Sequence, residues 1–378
     1  MKVGLTATMI QGGRSGVAQY VFSLVRELVR AGQVDLDVFV LEDELPLLDF
    51  AKDSCRLIPV PRAAAPPVKN ILWHQLSLPK LAADLKLDVL HVPSYRRLVR
   101  SAPCPTVGTI HDLAPFHVKG KYDLARMFYG RVVVKSLARS QQEIIAVSHC
   151  TARDIENFFG IPQSRLHVIH NGIDHDRFFP ADHDTARAWT AEKHAIAAPY
   201  FLYVSRLEHP GKNHVRLIEA FVAFKKATGS DWQLALGGGD WHGCEAIKSA
   251  AAASPFARDI RFLGFVPDAD LPNLYRGARC MVYPSLFEGF GLPPIEAMAC
   301  GTPVISSTRG ALEEVVADAA LIVDPENIPD ITRALTAIST DTVLADTLKS
   351  KGFTNAARFH WSRTAAEVTE IYRKAASR

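Results

Sequence analysis

The sequence predicts an α/β protein made of two parallel-sheet units, and three observations lead there. Short apolar runs alternate with amphipathic helical stretches from the first residues onward, the pattern of parallel sheets covered by helices. The series fades into a polar segment at residues 180–198 and reopens with Tyr200-Phe201-Leu202-Tyr203-Val204. A chain of 378 residues that is 48% apolar and 22% charged can also bury two cores of ordinary size.

Taken in order, the strands expected in the first unit are Val3–Ala7, Leu36–Leu41, Val89–His91, Thr106–Ile110 and Ile144–Val147. Those expected in the second are Phe201–Val204, Gln233–Gly237, Ile260–Leu263, Cys280–Tyr283, Val304–Ser306 and Leu321–Val323. The expected domains are therefore 1–180 and 198–359, joined by a connector with some helix. A last helix is expected over about Thr364–Ala375.

Composition narrows the function classes. A net charge of +3 is too small to argue for nucleic acid, and no apolar run approaches the roughly 20 residues that span a bilayer. The chain opens on a strand-like Lys2–Ala7 rather than a signal peptide, so a cytoplasmic location is expected. Six cysteines, without C-x-x-C or metal-type spacing, argue against disulfides or zinc and read as buried thiols. Positive charge does gather at 119–139, where Lys119, Lys121, Arg126, Arg131, Lys135 and Arg139 meet only Asp123, interleaved with apolar residues. Arg131, Lys135 and Arg139 should share a helix face. That face suits either solvent or an anionic lipid surface, which would put the protein at the inner face of the membrane.

The densest chemistry lies between Ser285 and Ile305. Glu288 and Glu296 bracket Gly289-Phe290-Gly291, whose glycines allow a ligand close to the backbone, and Pro293-Pro294 suits the first turn of a helix expected over about Pro294–Ala299. An anion fits at such a helix start, and Glu296 in the first turn is either a ligand contact or a dipole-matched helix residue. Arg206 and Lys212 follow the strand ending at Val204, so they should project from the carboxyl edge of a parallel sheet, where cations can neutralise phosphate.

Five weaker signals accompany these. Gly16 ends the loop Gln11–Ser15 at a helix start and is a candidate ligand contact, although the spacing is not that of a dinucleotide site. His111 closes a buried strand, with Asp112 behind it as a candidate orienting acid. Asn171-Gly172 reads as a tight turn, and Gly237-Gly238-Gly239 as a chain turn in preference to a nucleotide contact. Asp268-Ala269-Asp270 follows a proline and reads as a helix N-terminus, not as the Asp-x-Asp of a metal site.

The spacing Glu288 to Glu296, with Ala-Met-Ala-Cys-Gly-Thr-Pro-Val after it, resembles the E-x7-E signature of the retaining nucleotide-sugar glycosyltransferases of family four. Val204–Asn213, Val147–Thr151, Val168–Asp174 and Trp361-Ser362 resemble further blocks of that family, in its usual order. The resemblance implies the GT-B fold, two facing Rossmann-like domains with the active site in the interdomain cleft and the final helix (about 360–378) returning to the first. It implies that Arg206 and Lys212 grip the donor diphosphate, that Glu296 binds the ribose, and that Glu288 and the amides of Phe290, Gly291 and Leu292 line the sugar site. Gly16 would lie beside the donor phosphate, and His111 would contact the donor sugar. Catalysis would then rest on Glu288, His111, Arg206 and Lys212, without metal or other cofactor.

The reaction so implied is transfer of a hexose, mannose being one candidate, from a nucleoside-diphosphate sugar to a hydroxyl of a glycan or polyprenyl-linked acceptor. A nucleotide-sugar 2-epimerase and a non-catalytic nucleotide-sugar-binding protein are the alternatives.

Overall fold

The computed structural model describes residues 1–118 and 129–377. The chain condenses into two units: one gathers Met1–Pro115, a stretch ending at Gly172 and the residues from His360 on, and the other holds Ile173–Phe359. The division thus falls before residue 180, for a local reason. Ile173 N donates to Phe359 O (3.3 Å) and His175 Nε2 lies 3.0 Å from the same carbonyl, which ties the start of this segment to the second unit.

In the first unit β1 (Lys2–Thr6), β2 (Asp35–Leu41), β3 (Arg56–Val60), β4 (Val89–Val92), β5 (Thr106–Ile110), β6 (Glu143–Ala146) and β7 (Leu166–Val168) form one parallel sheet in the order 3-2-1-4-5-6-7. Register is set by pairs such as Leu5 with Val38 and Leu5 with His91. The helix Gly16–Ala31 covers it, capped by Ser15 Oγ accepting from Ala18 N (3.1 Å) and stopped by left-handed Gly32. Its Val21, Leu24, Val25 and Leu28 share a core with Val3, Leu5 and Val38 of the sheet and with Val368, Ile371, Tyr372 and Ala375 of the last helix, Trp361–Ala376.

The second unit repeats the plan with β8 (Tyr200–Val204), β9 (Gln233–Gly237), β10 (Ile260–Gly264), β11 (Cys280–Tyr283), β12 (Val304–Ser306) and β13 (Leu321–Ile322), in the order 10-9-8-11-12-13. Every pairing in it is parallel. In such a sheet successive loops at the carboxyl edge diverge where the strand order reverses, leaving a crevice for a ligand. The reversals here lie between β1 and β4 in the first unit and between β8 and β11 in the second.

Two strands carry no clear sequence signal, β3 and β7. Both are outer strands of the first sheet; β3 is largely uncovered and contains Pro59, tolerated at an edge because no neighbour needs its N–H. The connector contributes the helix His183–His194, capped by Asp182.

Candidate functional site

The loops leaving β8 and β11 meet at the reversal point of the second sheet, and a set of buried polar contacts stitches them together. Asn213, left-handed at φ 62°, sends its amide Nδ2 to Pro284 O (3.0 Å) and Pro325 O (2.6 Å). Leu286 N donates to Gly211 O (3.0 Å), and Tyr203 OH donates to Lys212 O (2.7 Å). Lys212 is thereby aimed at the second loop, where its Nζ meets Glu288 Oε1 at 2.6 Å, with 13% and 12% of the two side chains exposed. A pair this enclosed is charge-compensated yet still reachable by a ligand that replaces one partner.

Glu288 itself is held from behind. The loop after β12 runs beside it, with Ala311 N donating to Glu288 O (2.8 Å) and Ser307 Oγ donating to Ser285 O (2.7 Å). Gly310 makes this approach feasible: its φ is +72°, and a Cβ there would stand 2.2 Å from Glu288 O. Gly291 is similarly constrained, at φ +100° and with Leu312 Cδ2 2.7 Å from any Cβ. It opens the helix Leu292–Ala299, which starts two residues before its expected position. Pro293 and Pro294 carry no N–H, so the helix start is poorer in donors than the general anion-site argument assumes. What remains are the N–H groups of Gly291 and Leu292, neither with a partner among the described residues. Phe290 is buried, its ring edge-on to Phe359 at 5.7 Å.

Glu296 lies in the first turns of that helix, where Tyr275 OH donates to its Oε2 (2.9 Å). Burial pushes its carboxyl up to about 7, against the opposing pull of the Arg177 guanidinium and the tyrosine hydrogen bond. Near neutral pH this group therefore exists both as carboxylate and as carboxylic acid. Arg206 takes a different direction. Half exposed, it stacks over Trp241 (4.7 Å to the ring centre) and reaches Glu208 Oε2 at 3.3 Å. The structure thus brings Lys212 and Glu288 into contact and leaves Arg206 in the same loop with partners of its own. Gly238 serves the chain, since a Cβ there would lie 1.9 Å from Ser205 O. Asp270 stands at a helix N-terminus as expected from sequence, but its carboxylate pairs with Lys193 (2.7 Å) instead of capping.

In the first unit, Gly16 begins its helix with no protein atom within 4 Å of a would-be Cβ, so a side chain is missing where there is open space. His111 Nε2 lies 3.1 Å from Pro93 O, which fixes Nε2 as the protonated nitrogen and leaves the Nδ1 lone pair as an acceptor. Burial lowers its pKa, keeping it neutral. Asp112 does not orient it as the sequence suggests: Asp112 Oδ1 accepts from Ala114 N (2.9 Å), the local turn outcompeting the neighbouring ring. The ring of Tyr20 stands edge-on to His111 at 4.9 Å, and Tyr20 OH meets Thr109 Oγ1 (3.3 Å), which in turn meets buried His91 (2.8 Å). His91 also meets Tyr372 OH of the last helix (2.7 Å).

Of the basic stretch 119–139, residues 119–128 lie outside the described residues. Arg139 donates from Nε to Phe159 O (2.6 Å), so one of its three evenly spaced cations is committed to the fold. Among the described residues no helix is long and apolar enough to cross a membrane. Three residues that shape the site carry no local sequence signal. Gly310, Tyr275 and Arg177 each act across a contact between distant parts of the chain.

Two doubly wound sheets, the second with a Lys–Glu pair and free backbone donors at its reversal point, define a GT-B glycosyltransferase. Residues 190–357 match the family model described as glycosyl transferases group 1, and residues 14–177 match that described as glycosyltransferase family 4. The chain belongs to glycosyltransferase family four. The O-antigen chain mannosyltransferase B of Escherichia coli is 28% identical over 99% of this chain and 100% of its own length. The serotype-specific mannosyltransferase WbdA of Escherichia coli is 30% identical over 70% of this chain, which is 32% of that longer protein. Among solved structures, sucrose-phosphate synthase from Thermosynechococcus elongatus superposes with a TM-score of 0.81 at 22% identity, covering 99% of this chain and 98% of its own. HepE from Anabaena, in complex with UDP and glucose, gives 0.78 at 18% identity, over 99% and 100% of the two chains.

Proposed function

We propose that this glycosyltransferase moves mannose from a nucleoside-diphosphate sugar to a hydroxyl of a glycan or polyprenyl-linked acceptor, with retention of configuration and without a metal ion. The observation that carries the reading is the Lys212–Glu288 pair beside the unpartnered amides of Gly291 and Leu292. A donor diphosphate entering there takes Lys212 as counter-ion, with Arg206 as a second cation from the same loop, and the charge that grows as the glycosidic bond breaks is neutralised by fixed groups. Glu288, released from Lys212, accepts hydrogen bonds from the sugar hydroxyls. Glu296 accepts from the ribose as a carboxylate, and His111, with its Nδ1 lone pair, is the sugar contact assigned to the first unit.

Glu288 is assigned to hydrogen bonding with the sugar hydroxyls and not to nucleophilic attack, so the reaction runs on one face of the sugar, with the leaving phosphate assisting deprotonation of the acceptor. Mannose and a glycan acceptor are favoured by the two mannosyltransferase relatives. The test is a thermal-shift screen of UDP-, GDP-, ADP- and dTDP-sugars without metal, with released nucleotide assayed for each hit. One stabilising donor whose nucleotide is slowly released is expected. Folded protein that shifts with none of them at millimolar ligand refutes the site, and conversion of the donor to an isomer without nucleotide release would favour an epimerase.

A further inference from the structure

Apolar side chains that face water in a regular row on a well-packed helix need a partner. The helix Pro67–Leu76 buries Asn70, Trp73 and His74 and turns Val68, Leu72 and Leu76 outward, 70%, 51% and 63% exposed. Their spacing of four places them on one stripe. The stripe continues into the approach to the helix, where Ala63, Ala65, Pro66 and Pro67 are all exposed and no polar side chain intervenes between Arg62 and Lys69.

Charge along this stretch of the chain has one sign. From Arg56 to Ala83 the chain carries Arg56, Arg62, Lys69 and Lys80 and no aspartate or glutamate. The loop after β4 adds more: Arg97 Nε bonds Asn70 Oδ1 (2.6 Å), and exposed Arg100 is held beside the helix by its N–H to Gln75 Oε1 (3.0 Å). Arg56 is taken up by Asp37 and Arg62 by Asp43, but Lys69, Lys80 and Arg100 form no ion pair among the described residues. His74, its pKa lowered by burial to about 4, stays neutral and adds no switchable charge.

We propose that this face docks on an anionic membrane surface, with Val68, Leu72 and Leu76 seated among the headgroups and Lys69 and Arg100 against lipid phosphates. An apolar stripe edged by Lys69 and Arg100, with the nearby Asp43 already paired to Arg62, matches an anionic bilayer, which offers both burial and countercharge. A second copy of the chain fits it poorly, because a two-fold contact would set the same unpaired cations against each other. The inference does not depend on which donor the enzyme uses.

The test is co-sedimentation of the full chain with phosphatidylcholine vesicles and with mixed phosphatidylcholine–phosphatidylglycerol vesicles. The wild type is compared with Leu72→Glu/Leu76→Glu and with Lys69→Glu. All three positions are exposed, and unchanged melting temperatures verify that the variants fold. The wild type is expected to pellet with the anionic vesicles only, and less at high salt. The double variant should bind about tenfold less or weaker still, and Lys69→Glu about fivefold less. Wild-type protein that ignores anionic vesicles, a double variant that binds as the wild type does, or a concentration-dependent dimer abolished by Leu72→Glu/Leu76→Glu would each overturn the proposal.

Discussion

Replacing Glu296 by glutamine separates the charge of this residue from its shape. The carboxyl titrates near 7 in the folded protein against an ordinary value of 4.5, because burial opposes ionisation. Between those two values the folded state holds a proton that the unfolded state has released. Stability from this group is therefore fully present below about pH 4.5 and is lost as pH rises through 7. At about 1.36 kcal/mol per pH unit, the loss between pH 5 and pH 8 is about 2.5 kcal/mol, an upper figure because part of the side chain meets solvent. In Glu296→Gln the amide oxygen still accepts from Tyr275 OH, but nothing ionises. Calorimetry at the two pH values should show the melting temperature of the wild type falling relative to the variant as pH rises, by roughly 5–10 °C for a unit of this size. A wild type and variant that keep a constant difference from pH 5 to pH 8 would refute the account of a carboxyl held partly protonated by its surroundings. Donor affinity supplies a second readout: it should rise with pH through about 7 in the wild type and stay flat in Glu296→Gln.

Lys212→Met strands Glu288 without its counter-ion, and we expect a loss of about 3 kcal/mol in thermal or urea unfolding together with most of the turnover. Adding Glu288→Gln should recover the stability and none of the activity. Gly310→Ala places a methyl 2.2 Å from Glu288 O at a left-handed residue. Turnover should fall at least tenfold with native circular dichroism, a displacement of about 1.4 kcal/mol or more in the transition state, and a normal rate would remove Gly310 from the support of the site. Asn213→Ala deletes two buried hydrogen bonds and puts alanine in a left-handed conformation, so a cost of about 2–3 kcal/mol is expected by denaturant titration.

Strand interiors were legible because a strand covered on both faces must be almost continuously apolar, as Cys280–Tyr283 is. Loops that follow them at a carboxyl edge can be singled out for the same reason, as Arg206 and Lys212 are, whereas Glu288 stands out by the Gly-Phe-Gly turn and helix start beside it. What composition could not reveal was the set of partners. Arg56–Val60 escapes notice because an edge strand has only part of its surface to hide. His111 takes its orientation from the carbonyl of Pro93, a backbone group present at every position and so without a signature. The same holds for Gly310 against Glu288 and for Tyr275 and Arg177 around Glu296, since a contact between distant segments exists only once the second unit has folded.

The helix Trp361–Ala376 completes the core of the first unit with Val368, Ile371, Tyr372 and Ala375, and Tyr372 reaches the buried His91. On the ribosome, where domains ordinarily mature in the order they are made, the residues of the second unit emerge before this helix does. The first unit must therefore wait, incompletely packed, for this helix to leave the exit tunnel. A stop codon ahead of Trp361 would consequently strike the unit that holds β1, although its sheet is already complete in sequence.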